Sequence, residues 1–190
     1  MSRPAGLPFV RDEPLHDGRH LRFLRRVYRA EGGEHAWEMV VRRGTAGIVA
    51  CLPVTAAGEA VFLAQQRVPH GRPVIEIVAG LVEPGEGMEE ALARELAEEA
   101  GLSAARFRKV ADFTTSAGLT DEVIATYVAE GCVDDPDARH SGEAAEVIEV
   151  FRVPLGEAWG WLAARAAEGL VDPKTFAVLG HVLGVGATGR

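Results

Sequence analysis

Cysteine, long apolar runs and positive charge are all scarce in this 190-residue sequence, and each scarcity excludes a class of protein. The only cysteines, Cys51 and Cys132, lack the spacing of a disulfide scaffold or a zinc site. No apolar run is long enough to span a membrane, and the N-terminus has no apolar targeting segment. We therefore expect a protein of the reducing cytoplasm without a membrane partner.

The deficit of positive charge argues against nucleic acid as a partner. Lys and Arg number 20 against 28 Asp and Glu, which gives a formal net charge of −8. Such a protein does not attract a phosphate backbone. An anionic small molecule can still bind if a metal ion supplies the positive charge. The apolar fraction of 47% and the charged fraction of 25% are typical of a soluble globular domain.

Short apolar runs separated by turn residues predict a layered α/β protein. Strands are predicted at 21–28, 37–41, 46–54, 60–66, 74–78, 107–114, 123–129 and 147–153. The run at 46–54 is apolar throughout, as in a central strand buried on both faces. Two C-terminal helices are predicted, one stopping at Gly169 and one opening at Asp172-Pro173. Residues 1–18 show no periodicity and are predicted to be a flexible arm.

The most informative segment is 80–102, which reads GLVEPGEGMEEALARELAEEAGL. Pro84, Gly85 and Gly87 predict a loop. The next twelve residues, 89–100, are good helix formers without proline, glycine or a β-branched residue. Gly101 then suits the left-handed end of a helix. The segment is thus predicted to form a loop, a helix and a glycine stop.

Three carboxylates of this helix, Glu95, Glu98 and Glu99, fall within about 100° of arc. Like charges at this spacing destabilise a helix unless something positive lies between them. Mg²⁺ is held by carboxylates and by substrate phosphates, and the absence of a nearby Cys or His cluster argues against zinc. We therefore predict a site for Mg²⁺, or Mn²⁺, on these side chains. The alternative is an ordinary solvated helix surface.

The segment resembles the Nudix hydrolase signature, whose defined positions are matched by Gly80, Glu86, Arg94-Glu95-Leu96, Glu98-Glu99 and Gly101-Leu102. The run 76–86, EIVAGLVEPGE, resembles that of the ADP-ribose pyrophosphatase and nucleotide-sugar diphosphatase branch, with Val78 replacing a proline. The resemblance implies an α/β/α sandwich with a mixed β-sheet and an N-terminal antiparallel strand extension. It implies N-terminal strands at 19–45, a hydrolase domain at 46–187, and a homodimer that exchanges those strands.

The resemblance also implies roles around the predicted metal site. The backbone carbonyl of Ala79 is a further metal ligand in that branch, although a small residue for tight packing explains the same alanine. Glu86 completes the metal shell or holds the loop. Arg94 orients the neighbouring glutamates through ion pairs, and Glu76 is a supporting residue.

Substrate contacts are implied at several positions outside the signature. Arg67 matches the branch's phosphate-binding arginine, or is a surface arginine at a strand end. Trp37 lies where relatives hold a base, or packs in the core. The stretch 115–122, TSAGLTDE, resembles the branch's substrate loop and includes Gly118 and Glu122. Glu122 either lines the site or caps the next strand. Ala117 replaces the proline that marks ADP-ribose specificity in the family.

The general base is predicted in the acidic loop at 140–146, HSGEAAE. Glu146 matches an acidic position of related enzymes, and Glu143 lies one residue from the family's usual base position. Otherwise a glutamate of the signature activates the water. His140 is the other titratable group of this loop.

The resemblance implies metal-dependent hydrolysis of a nucleoside diphosphate linked to another group, with ADP-ribose favoured and AMP and ribose 5-phosphate as products. Other nucleotide-sugars such as GDP-mannose, dinucleoside polyphosphates and damaged nucleoside triphosphates are alternative substrates. A second class is a non-enzymatic Nudix domain that senses a ligand. Such modules typically lose glutamates of the signature, and none is missing here.

Overall fold

The computed structural model describes residues 6–138 and 147–185. Within them the chain forms twelve strands, three α-helices and one short 3₁₀-helix (Val68–His70). The chain divides into two compact units. The first ends at Thr45 and also includes Thr114–Glu122, and the second comprises Ala46–Phe113 and the chain from Val123 onward.

The first unit is an antiparallel sheet in the order β1-β2-β3, formed by β1 (Phe9–Asp17), β2 (Leu21–Ala30) and β3 (Gly33–Arg42). The predicted turn between the last two strands is present, with Gly32 and Gly33 at φ 88° and 128°. A flexible arm was expected over residues 1–18, but Phe9–Asp17 within that range form strand β1. Apolar periodicity is missing there because most of β1 is exposed. The strand pairs with β2 along its backbone, and ion pairs such as that between Asp12 and Arg26, at 2.8 Å, also join the two strands.

The second unit is built on a nine-stranded mixed sheet. Its strands are β4 (Gly47–Thr55), β5 (Glu59–Arg67), β6 (Arg72–Glu76), β7 (Val78–Val82), β8 (Leu102–Ser103), β9 (Arg106–Phe113), β10 (Ile124–Asp134), β11 (Ile148–Pro154) and β12 (Leu170–Val171). The pairs β4–β10 and β6–β12 are parallel, and the other pairs are antiparallel.

Helices cover both faces of this sheet: α1 (Met88–Ala100) on one face, and α2 (Ala158–Glu168) with α3 (Pro173–Val182) on the other. The alternation of side chains along β4 shows the layers. Val49 and Cys51 pack in the core beneath α1, whereas Ala50 and Leu52 pack in the core beneath α2 and α3. The predicted α/β/α sandwich is confirmed. None of the helices in the described part of the chain is long and apolar enough to cross a membrane.

The strand predicted at 74–78 is in fact two strands that separate at Ile77. β6 pairs with β5, where Glu76 lies opposite Leu63, and β7 pairs with β4, where Ala79 lies opposite Ala50. An uninterrupted apolar run does not show this change of neighbour. As a result, Glu76 and Ala79 are three residues apart in sequence but belong to different parts of the site.

Candidate active site

Helix α1 is fixed at both ends by local interactions. The carboxylate of Glu90 accepts a hydrogen bond from the backbone N–H of Gly87 at 2.7 Å. At the other end, Gly101 adopts φ 66°, the left-handed conformation that closes a helix. Ala91, Leu92 and Leu96 are buried in the core. The helix therefore presents its glutamates in a fixed register.

Glu99 joins α1 to strand β7. Its carboxylate accepts a hydrogen bond from the backbone N–H of Ala79 at 3.0 Å, and the residue is only 5% exposed. The contact places a carboxylate beside Ala79, the residue whose carbonyl the family resemblance implies as a metal ligand.

Glu95 lies against β7 one residue farther on, over Gly80. A Cβ atom at position 80 would lie 1.8 Å from Oε1 and 1.9 Å from Cδ of Glu95, far inside van der Waals contact. A side chain at position 80 would displace the carboxylate of Glu95, so glycine is what lets the glutamate lie against the strand. This close approach gives the first glycine of the signature a physical reason.

Arg94 binds the remaining carboxylates. Its guanidinium donates to Glu86 at 3.0 Å, to Glu95 at 2.7 Å and to Glu98 at 3.3 Å, and to the carbonyl of Leu81 at 2.9 Å. The hydrogen bonds to Glu86, followed by those to Glu95, raise the pKa of Arg94, while burial opposes the shift. In turn, the hydrogen bonds of Arg94 hold the pKa of Glu86 below its ordinary value.

Within residues 6–138 and 147–185, no group of three or more His, Cys, Asp or Glu side chains is arranged to hold a metal ion as it stands. Glu95 and Glu98 are turned to the guanidinium of Arg94 instead. The residues nevertheless fit a hard divalent cation. Their donors are carboxylate oxygens, which Mg²⁺ prefers, and the space kept open by Gly80 is filled by one of those carboxylates.

Arg67 is not an isolated arginine at a strand end. Its Nε and Nη2 donate to the two carboxylate oxygens of Glu76 at 2.6 and 2.8 Å. Lys174 Nζ donates to the same carboxylate at 3.3 Å and to Asp172 at 2.6 Å. The hydrogen bonds to Glu76 raise the pKa of Arg67 despite its partial burial. Arg67 and Glu76 thus begin a chain of alternating charges that continues to Lys174 and Asp172.

The other predicted substrate residues lie in the first unit. Trp37 is 56% exposed, which excludes the alternative of core packing, and its indole N–H donates to the carbonyl of Gly118 at 2.9 Å. The carboxylate of Glu122 accepts a hydrogen bond from Arg42 at 2.7 Å. The structure therefore brings Trp37 and Gly118 together, and gives Glu122 an ion-pair partner that the sequence interpretation did not name.

The predicted general bases, Glu143 and Glu146, and the neighbouring His140 lie outside the described residues.

Sequence reasoning missed Lys174. The signal was present, because Lys174 is four residues before Val178 and shares the buried stripe of α3 with Thr175 and Leu179. A lysine on the apolar side of a helix has to find a buried carboxylate. The distant Glu76 could not be chosen as that partner from local spacing.

Comparison with known proteins agrees with this geometry. The fold is similar to that of a solved ADP compounds hydrolase, which shares 20% identity with this chain at a TM-score of 0.70; the match covers 85% of this chain and 86% of that one. Residues 44–173 match the NUDIX domain, so the chain belongs to the NUDIX family. Members of this family are in general divalent-metal-dependent hydrolases.

Two relatives of this chain differ in function: one is an enzyme and the other is an activator of an enzyme. An ADP-ribose pyrophosphatase of Bacillus subtilis (strain 168) is 38% identical over 129 residues, which are 68% of each chain. A methanol dehydrogenase activator of Bacillus methanolicus is 28% identical over 166 residues, 87% of this chain and 86% of the relative.

Proposed function

We propose that this protein hydrolyses the diphosphate bond of ADP-ribose to AMP and ribose 5-phosphate with bound Mg²⁺, which Mn²⁺ can replace. The observation that carries the proposal is the clamp of α1 on β7, in which Glu99 bonds to Ala79 and Glu95 fills the space over Gly80. The similarity to the Bacillus subtilis ADP-ribose pyrophosphatase supports ADP-ribose as the substrate. Ala117 makes other nucleotide-sugars, such as GDP-mannose, and dinucleoside polyphosphates the nearest alternatives.

Glu95, Glu98, Glu99 and the carbonyl of Ala79 would hold the metal. When bound, the metal would neutralise charge on the diphosphate and lower the pKa of the attacking water. Arg94 holds Glu86, Glu95 and Glu98 in place through ion pairs, and Glu95 and Glu98 would exchange this partner for a bound metal. Arg67 would bind diphosphate oxygens through N–H groups that it does not use on Glu76. Glu143 or Glu146 would accept the proton of the water.

The test is turnover of a substrate panel, with products detected as phosphate after phosphatase treatment. The panel comprises ADP-ribose, GDP-mannose, UDP-glucose, NADH, diadenosine polyphosphates and 8-oxo-dGTP, each with Mg²⁺ or Mn²⁺. We expect ADP-ribose to be preferred and Glu98→Gln to lower kcat by about 10²- to 10³-fold. Oxygen-18 from water should enter one product phosphate.

The matched control is Glu89→Gln, the same change at an exposed position of the same helix outside the three-carboxylate face. This variant should keep wild-type turnover. Equal loss in Glu89→Gln and Glu98→Gln would show that the helix responds to any charge change, and would overturn the metal assignment.

The similarity to the methanol dehydrogenase activator favours a second candidate function, in which the domain binds a nucleotide and alters another protein's activity. This candidate corresponds to the ligand-sensing alternative of the sequence. It predicts nucleotide and metal binding without turnover across the panel, an outcome that the panel experiment separates from hydrolysis.

We also propose a homodimer in the cytoplasm, with no nucleic-acid partner. The sheet of the first unit exposes large apolar side chains, among them Leu21, Phe23 and Trp37, which supports a contact with a second copy. Small-angle scattering and gel filtration should report a dimer, and a monomer in both would overturn this part of the proposal.

A further inference from the structure

A group of four charged residues lies where β5, β6 and the start of α3 meet: Arg67, Glu76, Lys174 and Asp172. Glu76 is 4% exposed and Lys174 is 5% exposed. The contacts run in one line, from Arg67 to Glu76 at 2.6 Å, from Glu76 to Lys174 at 3.3 Å, and from Lys174 to Asp172 at 2.6 Å. We call these residues the buried quartet.

Stability is a poor explanation for the buried quartet. The desolvation of buried charges offsets most of their attraction, and apolar residues of similar volume commonly replace such pairs without loss of stability. Among the four residues, Arg67 has the most exposed side chain, at 38%. We therefore ask how the other three residues affect the orientation of the Arg67 guanidinium.

The hydrogen bonds of Arg67 define the orientation of its guanidinium. Glu76 takes Nε and Nη2, which form one edge of the planar group. An arginine has five N–H donors, so this pair leaves three that it does not use. A guanidinium held by one edge keeps a fixed plane, and the donors away from that edge suit two oxygens of a diphosphate.

Glu76 can hold Arg67 in this way only while it is ionised, because a neutral carboxylic acid no longer offers two acceptor oxygens of equal strength. Burial raises the pKa of Glu76, but the hydrogen bonds from Arg67 and the charge of Lys174 outweigh burial and hold the pKa below its ordinary value. Lys174 is thus the second positive charge that this buried carboxylate requires.

Lys174 is itself fixed by the start of α3. Asp172 accepts the backbone N–H of Lys174 at 2.9 Å as the helix cap and accepts Nζ of the same lysine at 2.6 Å. Pro173 occupies the first helical position, where a missing N–H costs nothing. The segment Asp172-Pro173-Lys174 therefore delivers the ammonium group to Glu76 from a rigid helix end.

We propose that Lys174 is a positioning residue that acts through Glu76 to hold the guanidinium of Arg67 in the orientation that binds the substrate diphosphate. This inference rests on the proposed function only where it names the diphosphate. The orientation of Arg67 can be measured without any substrate.

The first test is a double-mutant cycle of Arg67→Gln and Lys174→Met, measured as steady-state kinetics on ADP-ribose. Each single variant should raise KM, by roughly tenfold or more for Arg67→Gln and somewhat less for Lys174→Met, because each loses a charge-assisted contact. Adding Lys174→Met to Arg67→Gln should change kcat/KM by less than about twofold, because both act on the same contact. A merely structural role would instead lower kcat through a smaller folded fraction and would be additive with Arg67→Gln.

The second test uses the NMR signal of the Arg67 side-chain Nε–H in the ligand-free protein, assigned by its loss in Arg67→Lys. In the wild type this hydrogen is bonded to Glu76 and should exchange slowly with water. In Lys174→Met the signal should move and exchange faster. If Lys174→Met does not fold, Lys174→Gln removes the charge but keeps a hydrogen-bond donor, and the same shift is expected.

Thr175→Val is the matched control, because Thr175 is the next residue of α3 and its hydroxyl has no hydrogen-bond partner among the described residues. It should leave both KM and the Arg67 signal unchanged. An additive cycle, or an unmoved Arg67 signal in the lysine variants, would overturn the role of Lys174 even if ADP-ribose is the substrate. If the wild type turns over nothing in the panel, the proposed function fails, and the Arg67 signal still decides the role of Lys174.

Discussion

Two arginine–carboxylate networks lie in the same domain and differ in their balance of charge. Around Arg94, three carboxylates accompany one guanidinium, from Glu86, Glu95 and Glu98. In the buried quartet, two carboxylates accompany two cations. The chemistry of each contact is the same, but only the network around Arg94 carries an excess of negative charge.

The difference indicates what each network is for. A balanced group whose central pair, here Glu76 and Lys174, is removed from water gains little from any further ion, and its geometry is fixed by mutual pairing. A group with excess carboxylates attracts cations, and in the proposed site a divalent metal would compete with Arg94 for these oxygens. Changes in the buried quartet should therefore act on stability and substrate geometry, whereas changes around Arg94 should act on metal binding and turnover.

The largest effect on stability is expected from Glu76→Gln. The change removes one of two negative charges and leaves Lys174 buried with an incomplete set of partners. We expect the free energy of unfolding to fall by about 3 kcal/mol and Tm by roughly 10 °C. Thermal and denaturant unfolding measure both quantities. The control Glu149→Gln, on an exposed position of strand β11, should change stability by less than about 0.5 kcal/mol.

The stability contributed by Glu76 should also depend on pH. Because its pKa in the folded protein lies below the ordinary value, the contribution is complete above the ordinary carboxylate pKa of about 4.3 and is lost as pH falls through the folded value. The difference between the wild type and Glu76→Gln should therefore shrink in acid. A difference that grows as pH falls would contradict the assigned direction.

Sequence patterns predicted the features that depend on local periodicity and failed on those that depend on distant partners. The strand at 46–54, helix α1 and its stop at Gly101 follow from apolar runs and helix propensity. Strand β1 was missed because it is mostly exposed and shows no apolar alternation, and its pairing with β2 depends on the partner strand. Lys174 was missed because its partner is 98 residues away. The reason for Gly80 required knowing that Glu95 packs on it.

A smaller effect on stability is expected from Gly80→Ala, which tests the network around Arg94. The new Cβ would overlap the carboxylate of Glu95, so that this side chain has to leave its position over β7. We expect a loss of about 1–2 kcal/mol in unfolding free energy, accompanied by weaker binding of Mn²⁺ in calorimetry. The loss of Mn²⁺ affinity should exceed the loss that a slightly smaller fraction of folded protein would cause.

Gly160→Ala is the control for Gly80→Ala. Gly160 lies within α2, and a Cβ there meets no atom within 4 Å. Alanine in a helix interior should raise stability by about 0.5–1 kcal/mol. Unchanged Mn²⁺ binding in Gly80→Ala would show that the carboxylate of Glu95 does not need its position against the strand.

The smallest effect is expected from Thr175→Val, one residue beyond the buried quartet. The hydroxyl of Thr175 is buried and has no hydrogen-bond partner among the described residues. Valine has nearly the same shape and removes the cost of burying that hydroxyl, so unfolding free energy should stay level or rise by up to about 1 kcal/mol. Chemical denaturation measures the change. Loss of stability would mean that the hydroxyl is bonded to an ordered water, and the polar region around Lys174 would then extend beyond its four charged members.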